Sequence, residues 1–205
     1  MENKLTVSHL LSAYSQGIFP MSDDKGRISW YCPDPRAIIP IDTYKSSKSL
    51  RSTLNKCVFE IRINEQFEEV MRSCSKPRTD LDGVWISEEM ITVYCELHKL
   101  GFAHSVEAYQ DDKLVGGLYG VCLGGVFYGE SMFSAVSNSS KVAFHYLIQI
   151  LVTNEFELLD SQFINENVLR YGAIEIRKEV FLKRLSKSIK KTCHFTLNEI
   201  DKNSY

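Results

Sequence analysis

HSVEAYQDDKLVGGLYGVCLGGVFYGESMFSAVSNSSKVAFHYLIQILVTNEFELLDSQ, residues 104–162, is the stretch whose reading decides the fold. His104–Tyr109 alternates apolar and polar positions, Asp111-Asp112 turns, and Leu114–Val121 runs back, its Gly116-Gly117 pair suggesting a bulge. Gly124-Gly125 turns again into Val126–Phe133, which completes an antiparallel meander. Ser137 or Asn138 then caps a helix with Val142, Tyr146, Leu147 and Ile150 on one face, and Leu158–Gln162 is a short buried strand. Two carboxylates, Glu130 and Asp160, stand inside these apolar runs. Burying a carboxylate costs on the order of several kcal/mol unless it is paired or has chemical work. The same stretch is therefore the candidate site.

Upstream, Val7, Leu10, Leu11 and Tyr14 space out a helix over 6–16, with Thr6 or Ser8 as its cap and Gly17 at its end. Pro20 in GIFPM is expected to stop regular structure, and 22–36 reads as a loop, with Asp23-Asp24, Gly26, Pro33 and Pro35 around Trp30-Tyr31. Lys45–Lys56 is a basic run that suits a solvated helix face. A strand at 57–63, a helix at 65–73 and a flexible loop from Ser75 to Gly83 follow. Ser87 caps a helix carrying Met90, Val93, Tyr94 and Leu97 inward as far as Gly101. Downstream lie a strand at 172–176, an amphipathic helix at 178–190 and a loose tail. The order is that of an α+β chain, one sheet backed by helices. It divides into a small N-terminal segment (1–40) and a main unit (41–205).

A net charge of −2 gives no overall attraction for polyanions, so any nucleic-acid contact must come from a local basic patch. The outer face of the last helix offers one, through Lys183, Arg184, Lys187, Lys190 and Lys191; a plain solvated face is the other reading. No apolar run reaches the ~18 residues of a membrane span, and the N-terminus is too polar for a secretory signal. The six cysteines form no CxxC pair and the five histidines no cluster, so a cytoplasmic chain with reduced thiols and no metal is expected.

At GIFP, HSVE, LVGGLYGV, GESMFS, NSSK and LLDSQ the chain resembles the leucyl/phenylalanyl-tRNA–protein transferases, over roughly residues 10–181. The resemblance implies an acetyltransferase-like (GNAT-like), antiparallel-rich sheet with a small N-terminal appendage. It implies transfer of Leu or Phe from the acceptor end of aminoacyl-tRNA to proteins with N-terminal Arg or Lys, marking them for degradation. No metal, coenzyme A or other cofactor is implied. Carried over by motif, Asp160, Gln162 and Glu130 stand at the reacting centre, and Phe127, Met132 and Leu118 line the aminoacyl pocket. Trp85, Tyr14 and Asn165 stand near the terminal adenosine. The chain departs from the pattern at Met21, where tryptophan is usual, and at Asn167, Arg170 and Tyr171.

The reaction so implied is aminolysis of an activated ester. An α-amine has a pKa near ~8, so a useful neutral fraction exists at pH 7. The protein then has to hold amine and ester together, accept a proton and stabilise an oxyanion. The period of two puts Asp160 and Gln162 on one strand face. Asp160, directly or through Gln162, is expected to sharpen the amine and to attract the cationic N-terminal residue. A Met-bearing apolar pocket suits Leu and Phe and admits Met weakly. Structural alternatives stand beside these roles. Asp160 as a buried carboxylate satisfying amides is one, Glu130 paired with Lys141 or Arg177 another, and Phe127 and Met132 as ordinary core a third. A GNAT-like acyltransferase with another donor, or a non-catalytic module binding tRNA or N-termini, are the other functional readings. A coenzyme A donor would want a glycine-rich pyrophosphate loop before the helix after Asn138, and no such run is present.

Overall fold

The computed structural model describes residues 4–23, 25–77 and 85–197. Asp24, most of the expected Ser75–Gly83 loop and the end of the expected loose tail lie outside these residues.

The meander forms as its pattern requires. β5 (Ala103–Gln110), β6 (Lys113–Leu123) and β7 (Val126–Ser134) pair antiparallel in sequence order. They are the centre of a seven-stranded sheet, β4-β5-β6-β7-β8-β3-β9, with β3 at Arg36–Ile39, β4 at Glu60–Ile63, β8 at Leu158–Gln162 and β9 at Ile174–Ile176. Every pairing is antiparallel except β7 with β8. That parallel pair needs a crossover, and α5 (Ser139–Thr153) supplies it.

Helices cover both faces, giving a mixed α+β architecture. On one face α1 (Val7–Ser15), α3 (Phe67–Ser75), α4 (Glu88–Lys99) and α7 (Lys178–Ser188) close a core around Tyr14, Tyr94, Tyr119, Tyr128 and Phe181. On the other, α5 and Phe195 pack over Val106, Leu118, Phe127 and Leu159. Three caps are where the sequence puts them, while Asn138 precedes α5 at φ +69° without a side-chain capping bond. Thr6 accepts from His9 N, Ser87 accepts from Met90 N, and Gly17 ends α1 at φ +75°. A side chain at Gly17 would also press on the Phe181 ring, so glycine is needed twice over.

Two expectations change, and two elements went unread. The loop read at 22–36 contains a strand, β2 (Ile28–Tyr31), which pairs with β1 (Phe19–Ser22) as a separate two-stranded ribbon. Pro20 sits inside β1 without harm, since a two-stranded ribbon leaves every second N–H without a ladder partner. RAII at 36–39 is an inner strand of the main sheet, although four residues among prolines carry little periodicity. A short helix, α6 (Glu166–Arg170), follows β8, capped by Asn165. The Lys45–Lys56 run does form a mostly exposed helix, α2 (Lys48–Asn55). Among the described residues, no helix is long and apolar enough to cross a membrane.

Candidate active site

The candidate site lies where β7 and β8 part company. They pair only from Val126–Tyr128 against Leu158–Asp160. Just beyond, β7 bulges: Gly120 faces Gly129 and Tyr119 faces Ser131, so Glu130 is the extra residue. A bulge re-aims one side chain and reverses the alternation after it. Phe127 and Met132, on opposite faces by simple count, thus fall in one cluster. Gly120 opposite the bulge has no room for a Cβ, which would strike Tyr128 O and the Phe127 ring. β8 ends as abruptly. Gln162 takes φ +60°, and Phe163 N donates to Ser161 O at 2.7 Å, which turns Phe163 out to the mouth.

The gap is a cleft of about 400 Å³. One end is apolar, where Ile39, Leu118, Met132, Phe144, Leu147, Leu159 and Tyr171 belong to the core under α5. Tyr171 stacks on Phe144 at 3.9 Å between centroids and its hydroxyl lies 3.7 Å from Met132 Sδ. The other end holds Phe19, Met21, Cys74, Trp85 and Tyr119, which belong to the core on the opposite face. Trp85 is kept there by its carbonyl, which accepts from Ser22 N at 3.0 Å.

Between the two ends runs a polar floor. Gln162 Nε2 donates to Glu130 Oε1 at 3.1 Å, and the Tyr14 hydroxyl donates to the same oxygen at 2.8 Å. Tyr14 also meets the Tyr94 hydroxyl at 2.5 Å. Burial pushes the Glu130 carboxyl up to about 8; the Tyr14 bond pulls it down and the Asp160 charge adds to the rise. Near neutral pH much of Glu130 is therefore the uncharged acid. Burial, and then the charge of Glu130, raises the Tyr14 phenol well above its ordinary value.

Asp160 is fully buried and bound on both oxygens. Arg36 Nε reaches Oδ1 at 2.9 Å and Nη2 reaches Oδ2 at 2.5 Å, while Gln162 N donates to Oδ1 at 3.0 Å. Direct contact of Asp160 with an amine or a substrate cation is thereby corrected; the route through Gln162 remains. Glu130 pairs with neither Lys141, which bonds Asn138 Oδ1 at 3.1 Å, nor Arg177.

Of the expected pocket residues, Leu118 and Met132 line the cleft and Phe127 does not. Phe127 is fully buried beneath it, with the Phe195 ring stacked 5.5 Å away, because the residues before the bulge point into the core. Tyr14 is also corrected: with no exposed surface it cannot meet an adenosine, and it supports Glu130 from behind. Trp85 and Asn165 line the cleft, though Asn165 Oδ1 is occupied in capping α6. Asn167 and Tyr171 line it too. On α7 and just after it, Lys183, Arg184 and Lys190 are exposed, while Lys187 and Lys191 lie 3.8 and 3.2 Å from Glu157. None of the five lines the cleft.

Sequence reasoning missed Arg36, Phe144, Leu147 and Phe163. An arginine opening an apolar run was the one signal for the first. Phe144 and Leu147 sit at i, i+3 on α5, and that spacing reads as core.

Family models for the leucyl/phenylalanyl-tRNA protein transferase and for its N-terminal domain match residues 38–186 and 3–34. A leucyl/phenylalanyl-tRNA–protein transferase of Prosthecochloris aestuarii is 46% identical over 192 residues, 93% of this chain and 99% of that one. Its counterpart in Nitrosospira multiformis is 48% identical over 185 residues, 90% of this chain and 80% of that one. Among solved structures, L-PGS from Bacillus licheniformis aligns at a TM-score of 0.42 and 14% identity, over 80% of this chain and 55% of that one, too loosely to bear on fold or function.

Proposed function

The chain belongs to the leucyl/phenylalanyl-tRNA protein transferase family, an aminoacyl-tRNA–protein transferase acting on protein N-termini, and from that membership we propose its donor, its acceptor and the parts its residues take. The donor is Leu or Phe on tRNA, with Met as a weaker third. The acceptor is a cytoplasmic protein beginning with Arg or Lys, marked by the transfer for degradation. The apolar end of the cleft takes the aminoacyl side chain, and Leu118, Met132, Phe144 and Leu147 are its walls. Met132 lets one pocket adapt to both Leu and Phe. The Trp85 end takes the terminal adenosine, with Asn165 nearby, and the exposed cations of α7 add sequence-independent phosphate contacts. The N-terminal segment (1–40) and the transferase unit (41–205) work as one site, since Phe19, Met21 and Glu130 line one cleft. An acetyltransferase-like sheet is supported by the parallel β7·β8 pair that splays where the cleft opens.

In the reaction, a bond forms between the acceptor's α-nitrogen and the ester carbon, and the ester bond to the ribose oxygen breaks. One proton of the amine ends on that oxygen. Gln162 is the group that meets the amine. Its Nε2 is taken by Glu130, which leaves Oε1 as an acceptor to hold an N–H and aim the lone pair at the ester. That single bond carries the reading. Glu130 fixes the amide and, through its second oxygen, orients the aminoacyl group.

The competing acyltransferase reading needs a pyrophosphate at the start of α5. There the Ser139 hydroxyl is hydrogen-bonded to Val115 O and Val136 O, at 2.9 and 2.7 Å. A thermal-shift comparison of puromycin, an aminoacyl-adenosine mimic, with acetyl-coenzyme A separates the donors. Stabilisation by puromycin alone is expected; stabilisation by acetyl-coenzyme A alone would overturn the proposal.

A further inference from the structure

Arg36 is outside every role assigned so far, yet it holds the floor of the cleft. Its side chain is 1% exposed. Two of its nitrogens take both oxygens of Asp160, and the third, Nη1, donates to Gly17 O at 2.9 Å. The guanidinium lies over the rings of Phe19 and Phe181, 4.8 and 4.5 Å from their centroids. One planar cation thus joins the end of α1, β1, β8 and α7.

We propose that Arg36 is a positioning residue for aminoacyl transfer: by clamping Asp160 it holds the backbone of Gln162, and so keeps the Gln162 amide where Glu130 can fix its sense and the substrate amine can meet it. The inference rests on the transfer reading above.

The steps are physical. A non-glycine residue at φ +60° is in the left-handed region, which L side chains rarely adopt and which persists only where its surroundings enforce it. At Gln162 one enforcing contact, besides the pairing with Ala37, is Asp160 Oδ1, which accepts from the backbone N–H. An unpaired Asp160 would be free to swing toward water in the cleft; paired with Arg36 it has one orientation. From that backbone the Gln162 side chain reaches Glu130 with Nε2, and Oε1 is left for the amine. The order is Arg36, Asp160, Gln162, substrate.

Arginine is needed for its shape as well as its charge. A planar fork bonds two carboxylate oxygens at once and lies flat against aromatic rings, whereas an ammonium is a point charge. Arg36→Lys therefore keeps the charge and loses the geometry, which makes it the informative variant.

The test is steady-state transfer from Leu-tRNA to an Arg-initiated peptide, with KM measured separately for each substrate. Wild type is compared with Arg36→Lys and with Leu54→Ala, a buried change in α2 that lies outside the cleft, each assayed at the same interval below its own Tm. Arg36→Lys is expected to lower kcat roughly 10- to 100-fold, as losing a partner that orients a reacting group does, with both KM values within about twofold. Leu54→Ala is expected to leave kcat unchanged. If Arg36→Lys does not fold, Phe181→Leu removes one ring from the guanidinium, and a kcat loss of about threefold at constant KM is expected. Equal kcat in Arg36→Lys and wild type would overturn the proposal, as would a loss seen only in KM. Absence of transfer by wild type would instead overturn the transfer reading, and the proposal with it.

Discussion

Gln162 and Glu130, 32 residues apart on β8 and β7, share a hydrogen bond of 3.1 Å from Nε2 to Oε1 across the gap where those strands separate. The bond fixes the sense of an amide that would otherwise turn freely. Glu130 Oε1 accepts twice, from Gln162 and from Tyr14, and its position there depends on one extra residue in β7.

Replacing Gln162 by Glu exchanges the donor facing Glu130 for a second carboxyl. Gln162→Glu is expected to lower kcat by about 10²-fold or more, the scale of losing a positioned proton-handling group, with little change in Tm. Single-turnover transfer from charged tRNA checks this.

The raised pKa of Glu130 makes a signed prediction about stability. The native carboxyl keeps its proton up to about pH 8, while the unfolded one loses it near ~4.3. Between those values the native state binds more protons, so this group's contribution to stability falls as pH rises, and it levels off above about 8. Glu130→Gln cannot titrate. The difference in unfolding free energy between variant and wild type should therefore grow in the variant's favour from pH 5 to pH 8.5. Roughly 1–3 kcal/mol is expected, less than the full shift because the group touches the cleft. Urea titrations of both proteins at the two pH values measure it; a constant difference would contradict the assignment.

Phe127 and Met132 were legible as a pair of apolar residues near the site, but not as one core and one wall. Phe127→Ala is expected to cost about 3–5 kcal/mol of stability, as buried phenylalanines do, with the Leu-to-Phe transfer ratio unchanged. Met132→Leu should cost under ~1.5 kcal/mol and shift that ratio. Denaturant melts and competition between the two charged tRNAs separate the outcomes.

Gly120→Ala tests the bulge itself. The added methyl meets the Phe127 ring and Tyr128 O, and overpacking of this kind costs about 1–3 kcal/mol. A chain of this size loses roughly 2–4 °C of Tm per kcal/mol, which calorimetry resolves.

The meander, the crossover helix and β8 could be read because each is long or strongly periodic and ends in glycines, aspartates or a cap. The bulges were legible only in part. The Gly116-Gly117 pair pointed to one, and it falls beside that pair, at Val115, which has no partner on β5, whereas the bulge at Glu130 left no compositional trace. The reason is that a bulge is a relation between two strands. Arg36 was hidden for the same reason: its partner is 124 residues away, and a four-residue strand among prolines shows no period. Asp160 and Glu130 stood out as charges in apolar runs, which is a one-strand property, while the partners that set their chemistry are long-range.

The measurement that tests the account most directly is transfer of labelled leucine from charged tRNA to two peptides, one beginning with Arg and one with Ala, by wild type and by Gln162→Ala. Label on the Arg peptide alone, lost with Gln162→Ala while the variant remains folded and binds puromycin, is the predicted result. Undiminished transfer by Gln162→Ala would contradict it, because the amide would then have no part in presenting the amine.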